Sequence, residues 1–564
     1  MLIAFEVVAL LVVFPLALWF RRAKSRPGRA VWRGLGRLAR RRGLAGLLIG
    51  LLPIAGGAAV SAVAGMPEPH IHDEFSFLLQ ADTFAHGRLT NPPHPMWIYF
   101  ETFHVIQQPT YASKYPPLQG LALAGGQVLT GLPIVGVWVS LGLACAAIYW
   151  MMLAWLPPRW ALLGGLLAAV RLTFFLRSDV GERFGYWSQS YWGGAIAALG
   201  GALLFGALRR LLRRPSVGSA LLLGLGEAVL ANTRPFEGLV ACLPAGAVLV
   251  AWVVGRQRPA PGVLLLRVAL PALAVLVAAA GAMGYYNARV TGSATRMPYQ
   301  VHEDAYAIVP LFLWQRLRPE PSYNHKPLRD WHADFGKVWY QKQQSLGGLA
   351  TVAARKTLSL GNEYLGLVLV IPLLTMKYIL RNRWMRFAAL TCGVALVAVL
   401  QETWWTLPHY LAPVAPLLYL LVIQGVRHLR LWRWRGRPAG RTLVRAMPVV
   451  IALGVAVSLL PGVRGDAGRL PGRRAEVLRE LQAYGGRHLV IVHYAPQHNA
   501  HEEWVYNGAD IDGAAVVWAR DMGDERNRPL LAYFADRRVW RLDADADPPR
   551  LVAYPSERVT TGGD

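Results

Sequence analysis

Residues 133–156 read PIVGVWVSLGLACAAIYWMMLAWL, 24 consecutive residues without a charged side chain. As an α-helix this run extends about 36 Å, enough to cross the roughly 30 Å hydrocarbon core of a bilayer. Further apolar runs lie near 1–20, 44–65, 161–176, 190–208, 216–233, 236–254, 263–285, 358–380, 387–402, 410–428 and 446–463, which gives about twelve spans in all. The composition agrees: of 564 residues, 54% are hydrophobic and 16% charged, against about 25% charged in soluble domains. A soluble multidomain enzyme is thereby excluded. The net charge of +26 falls mostly in short arginine clusters between the apolar runs, so it reads as membrane topology and not as a nucleic-acid surface. Cys145, Cys242 and Cys392 all lie within apolar runs and read as small buried hydrophobes, with no disulfide framework or zinc site among them.

The basic clusters fix the expected orientation. Ten Arg or Lys lie in 21–42, four Arg in Arg209–Arg214, four basic residues in Lys377–Arg386 and seven Arg in Arg427–Arg445. All fall on one side, the cytoplasmic one by the positive-inside rule, if Leu118–Leu132 is a re-entrant or partially inserted helix and not a full crossing. At about 22 Å that segment is short for a span. With this topology the cytoplasmic loops contain no acid; Glu6 lies near the external N-terminus and Glu227 within a span.

Three segments are expected outside: loops 66–117 and 286–357, and a tail, 464–564. The tail holds 16 acids and alternates β-like runs at 488–492, 514–518 and 538–542 with helical patterns at 473–483 and 525–535, a small α/β domain. The expected organisation is therefore a first span with a basic cytoplasmic loop (1–43), a transmembrane body (44–463) and an external α/β domain (464–564).

Chemistry concentrates in the first loop, which opens with His70-Ile71-His72-Asp73-Glu74-Phe75 and closes with Ser113-Lys114-Tyr115-Pro116-Pro117. Asp73 and Glu74 stand a few residues beyond a span, poised to meet a lipid headgroup. Adjacent acids on a helix point about 100° apart, so one can face a reaction centre while the other orients the helix or a metal. Lys114 returns to the same depth from the other end of the loop, where a cation suits a phosphate-bearing leaving group. Arg234 and Glu237 link two spans, as an ion pair or as substrate contacts. Arg183 and then Gln189, Tyr191 and Trp192 form another external hook. His302 lies in the second loop beside Glu303, and His409-Tyr410 open a late span. His70-x-His72-Asp73 could ligate a divalent ion. His498-Asn499-Ala500-His501-Glu502 lacks the metalloprotease spacing.

The order Asp73-Glu74, Gly87-Arg88-Leu89, Lys114-Tyr115-Pro116-Pro117-Leu118 and Leu407-Pro408-His409-Tyr410-Leu411-Ala412-Pro413 resembles the GT-C superfamily of membrane glycosyltransferases. The nearest branches are the protein O-mannosyltransferases and the lipid A aminoarabinose transferases. The resemblance runs over most of 44–463. Two departures stand out: the acid that precedes lysine in the aminoarabinose branch is Ser113 here, and His409 replaces a usual Arg or Lys.

The resemblance implies a GT-C-like helical body in the bacterial cytoplasmic (inner) membrane. It implies inverting transfer of a sugar from a polyprenyl-phosphate carrier to an envelope glycan, lipid or protein on the periplasmic face. Asp73 would be the general base, with Glu74 beside it. Lys114, Tyr115, Arg183 and Arg234 would hold the donor phosphate. Glu237, Gln189, Tyr191, Trp192, His302, His409 and Tyr410 would meet substrate. A divalent ion, Mg or Mn, with Asp73 as one ligand, is the candidate cofactor. The competing class is a transporter or flippase of lipid-linked or amphipathic substrates. Against it, the sequence holds no inverted repeat.

Overall fold

A computed structural model describes residues 33–175, 185–256, 258–458 and 470–555, together with Val13. The expected first span, 1–20, otherwise lies outside the described residues.

Eight helices among the described residues are long and apolar enough to cross a membrane. Helix α1 (Arg42–Ala64) is followed by α2 (His72–Ala85) and a two-stranded pairing of β1 (Val105–Ile106) with β2 (Ala112–Ser113). Next come α3 (Pro117–Thr130), α4 (Pro133–Trp155), α5 (Pro158–Phe174), α6 (Gly194–Leu211), α7 (Val217–Ala231), α8 (Pro235–Val254) and α9 (Pro261–Thr291). Proline opens five of the seven helices from α3 to α9: α3, α4, α5, α8 and α9 all start on it, where its missing N–H costs no helix bond. Helix α10 (Pro298–Tyr306) lies in the second loop, then α11 (Leu346–Tyr364), α12 (Gly366–Leu373), α13 (Arg383–Leu400), α14 (Ala415–Leu429) and α15 (Ala439–Ser458).

Two details differ from the expected spans. The run at 358–380 is not one helix: it breaks between Tyr364 and Gly366, where Gly366 takes φ +57, a conformation other residues rarely adopt. The segment expected to be re-entrant is α3, 14 residues packed on α2 and α4. Its closeness to α4 rests on Gly136, where a Cβ would stand 2.0 Å from the Ala122 carbonyl oxygen.

The basic clusters gather at one end of the bundle. Arg209 lies over Trp155 and Trp384, Arg210 over Trp150, and Arg427 and Arg430 over Trp160. These contacts join the ends of α4, α5, α6, α13 and α14, as a common side for the clusters requires.

Residues 470–555 form a four-stranded sheet in the order β4-β3-β5-β6, with β3 (His488–His493), β4 (Val516–Arg520) and β5 (Arg538–Asp543) parallel and β6 (Arg550–Ala553) antiparallel. Two helices flank it, α16 (Leu470–Tyr484) and α17 (Asp524–Tyr533). Leu489 to Val492 are buried on both faces, as parallel strands require. On one face Val490 and Val492 pack with Leu481 and Trp504. On the other, Leu489 and Ile491 share a core with Leu79, Tyr99, Phe100 and Tyr111 of the first loop. Polar contacts complete the docking: the Ala509 amide donates to Asp82 (2.7 Å), and Arg520, ion-paired with buried Glu503, donates to the Glu101 carbonyl (2.6 Å).

Candidate active site

At the end of the bundle away from the arginine clusters, the first loop, the second loop, the α7–α8 turn and the segment before α14 enclose one cavity of about 290 Å³. Asp73 reaches it from the first turn of α2. One carboxylate oxygen accepts from the Tyr115 hydroxyl, and the other lies 3.7 Å from Nε2 of His104. Lys114, 6% exposed, places its ammonium 3.6 Å from Glu303 and over the Tyr299 ring. Burial lowers the proton affinity of Lys114, while Glu303 and Asp73 oppose that loss. Burial would raise the Glu303 carboxyl, but His302, whose Nδ1 lies 3.7 Å away, and the Lys114 charge bring it down to about 2. Arg234, at the start of α8, stands 3.5 Å from Glu237 and over the Tyr410 ring. The cavity thus contains two cations, each already facing a carboxylate, and a third acid, Asp73, held by a phenol.

Two other walls differ in character. Phe236, Met283, Met297, Leu311 and Leu407 make an apolar side, contributed in part by α9, whose apolar stretch is wholly unburied. Trp331, Trp404, Trp405 and His501 make an aromatic side, with Trp331 stacked on Trp404 and Trp405 on His501. His501 arrives from the tail, so residues 470–555 complete the cavity. His72, His104 and His332 also line the cavity, with His302 behind them, and neighbouring ring centres in the row His72, His104, His302, His332 are 5.7 Å apart. Burial holds all four below the usual histidine range, His302 at about 4 and His72 at about 3. They are neutral at pH 7.

Of the residues singled out by the sequence, Asp73, Lys114, Tyr115, Trp192, Arg234, Glu237 and Tyr410 line this cavity together. Five do not. Glu74 is buried at 2% exposure, accepting from the amides of His70 (2.8 Å), Ile71 and Tyr191 (2.9 Å). It caps α2 and ties it to the chain before α6, away from the cavity lining. Gln189 bonds Ser61 and the Gly57 carbonyl, and the Tyr191 hydroxyl donates to the Pro67 carbonyl. His302 sits behind Glu303, accepting from the His104 amide. His409 is 2.5 Å from the Tyr186 hydroxyl and packs against Trp192 and Tyr410, supporting the wall from behind. Arg183 lies outside the described residues.

Sequence reasoning did not single out Glu402, Trp331, Trp404, Trp405 or His104. Glu402 is 3% exposed and one of its oxygens has no hydrogen-bond partner among the described residues. An acid at the very end of an apolar run, followed by two tryptophans, was the available signal. As for a metal, no three of His, Cys, Asp and Glu among the described residues are grouped to hold one. Asp73, the candidate ligand, has its oxygens turned to Tyr115 and His104.

No protein-family model matches the sequence, and no curated protein does. Solved structures do. ArnT from Cupriavidus metallidurans bound to undecaprenyl phosphate aligns at 13% identity over 88% of this chain and 93% of that one, with a TM-score of 0.45. Its apo state aligns at 14% over 87% and 92%, with a TM-score of 0.47. An Archaeoglobus fulgidus oligosaccharyltransferase in complex with Zn and sulfate aligns at 10% over 88% and 68%, with a TM-score of 0.46.

Proposed function

We propose that this chain is a membrane glycosyltransferase of the GT-C type, which moves a sugar from a polyprenyl-phosphate carrier to an envelope acceptor with inversion at the anomeric carbon. One observation carries the reading: Asp73, Lys114 and Arg234 open onto a single cavity whose remaining walls are apolar on one side and aromatic on the other. The apolar side suits a polyprenyl chain arriving from the bilayer, and the two cations suit its phosphate.

The residues then divide the work. The acceptor hydroxyl attacks C1 of the sugar as its proton passes to the Asp73 carboxylate. The bond from C1 to the phosphate oxygen breaks, and its electron pair stays on that oxygen. Lys114 and Arg234 stabilise the growing charge, and they act more strongly in a water-poor site than they would in solution. Tyr115, donating to Asp73, fixes the direction in which the base points. General-base help of this kind contributes about 10²–10⁴-fold. Trp192 and Tyr410 are placed to touch the sugar. The steps are written with this chain's own side chains, and among the described residues no three of His, Cys, Asp and Glu are grouped to hold a metal.

The reading places the cavity on the periplasmic side of a bacterial inner membrane, opposite the arginine clusters. Its test is transfer from a panel of radiolabelled polyprenyl-phosphate sugars by the purified protein in detergent, beside Asp73→Asn. Donor consumption lost in the variant is the expected result. Substrate movement that needs a sealed bilayer, with no donor consumed in detergent, would replace this reading by a transporter.

A further inference from the structure

The end of the bundle opposite the cavity carries a second cradle, formed by Arg210, Arg213, Arg214, Ser216, Ser219 and Arg267. Arg210 is its fixed wall: its guanidinium donates to the carbonyls of Gly206 (2.9 Å) and Trp150 (2.7 Å) and lies on the Trp150 ring. Arg213, Arg214 and Arg267 are exposed, and no carboxylate pairs with any of the four arginines among the described residues. The sequence offers none nearby, since 193–226 and 238–302 contain no Asp or Glu. Ser216 caps α7 by accepting from the Ser219 amide, which places the start of α7 at the cradle.

Arg267 shows what kind of anion fits. It lies in a π-helical turn, Leu265–Ala269, a local widening of α9 of a kind frequent at functional positions. The helix that carries it has its apolar stretch wholly unburied, and Leu265, Leu266 and Leu270 around it are 52%, 62% and 47% exposed. An arginine on a lipid-facing helix near its end must meet water or a headgroup. Arginine also binds phosphate bidentately, which lysine cannot. Convergence of three helix ends, uncompensated charge and flanking leucines together describe a phosphate with acyl chains attached.

We propose that this cradle binds the phosphate headgroup of an anionic phospholipid. The site is separate from the donor cavity: α7 carries Val217 at the cradle and Ala231 at the cavity, about 21 Å apart along the helix, and α9 carries Arg267 and Met283, about 24 Å apart. A lipid held there braces the ends of both helices.

The experiment uses the full-length protein, delipidated in neutral detergent. Thermal unfolding is followed with phosphatidylglycerol, with phosphatidylcholine and with inorganic phosphate, and retained lipid is counted by native mass spectrometry. Expected is a rise in Tm with phosphatidylglycerol at least about three times that with phosphatidylcholine, with lipid retained and little effect of inorganic phosphate. Arg213→Gln/Arg267→Gln should lose that excess while melting like the wild type in lipid-free detergent. The single exposed variant Arg267→Gln should lose part of it. An equal rise in the variants, or with phosphatidylcholine, would overturn the proposal. A full rise with inorganic phosphate alone would reassign the cradle to a soluble anion.

Discussion

The Tyr115 hydroxyl donates to the Asp73 carboxylate, joining the two ends of the first loop at the floor of the cavity. Burial and the adjacent carboxylate keep the Tyr115 phenol well above its ordinary value, so it stays a donor at any working pH. Asp73 is thereby aimed, and its other oxygen faces His104.

Replacing Asp73 by Asn should reduce sugar transfer by about 10²–10⁴-fold while leaving the melting temperature close to wild type. Tyr115→Phe should cost less, about 10- to 100-fold, since one neutral donor to a charged acceptor is worth about 1.5–3 kcal/mol at most. Radiolabel transfer by purified variants checks both. Near-normal turnover in Asp73→Asn would remove it as the base.

Lys114 and Glu303 form an ion pair whose side chains are 7% and 10% exposed. Removing one partner leaves an uncompensated buried charge. Glu303→Gln should therefore destabilise the fold by about 3–5 kcal/mol, and Lys114→Met/Glu303→Gln should recover part of that loss. Donor binding should be lost in every variant that lacks Lys114. Thermal unfolding and donor binding, measured on the same samples, separate the two effects.

Glu74 should behave differently from its neighbour. Glu74→Gln turns an amide donor toward backbone N–H groups, so a loss of about 1–3 kcal/mol in stability is expected. Turnover by the folded fraction should stay within a few-fold of wild type. A collapse of kcat at unchanged Tm would return Glu74 to the reaction.

Acid should loosen the cavity floor before it reaches the carboxylates. His302 and His72 titrate at about 4 and about 3 in the folded chain, against 6.5 in the unfolded one. The unfolded state then binds the extra protons, so their stabilisation is complete above pH 6.5 and is lost as pH falls from there toward 4 and 3. His302 alone accounts for about 3 kcal/mol of that change. Glu303, held at about 2, acts only below pH 4.5. The Tm should fall steadily from pH 7 to pH 5, and His302→Gln should flatten that slope. A flat wild-type profile would contradict the burial of these rings.

Much of the site was legible because the motifs stand at helix ends, which a bilayer brings to a common depth. Asp73, Lys114, Arg234 and Tyr410 meet for that reason. Direction within a turn was not legible. Glu74 follows Asp73 and points into the protein, and His409 precedes Tyr410 and lies behind it. The aromatic wall was also hidden, since Trp331, Trp405 and His501 come from three separate segments that meet only in the fold, Trp331 on Trp404 and Trp405 on His501. The run at 358–380 looked continuous because hydropathy does not register the turn that Gly366 makes.

His501 enters the cavity from the tail, and the neighbouring Ala500 carbonyl meets Nε2 of His72 at 2.9 Å. Synthesis runs from the N-terminus, so the acid, the lysine and the arginine are all made well before this wall. A growing chain stopped short of residue 501 carries the reactive groups around an unfinished pocket. The order of translation itself thus acts as an interlock, withholding a closed reaction chamber until the last segment of the chain has been delivered and docked.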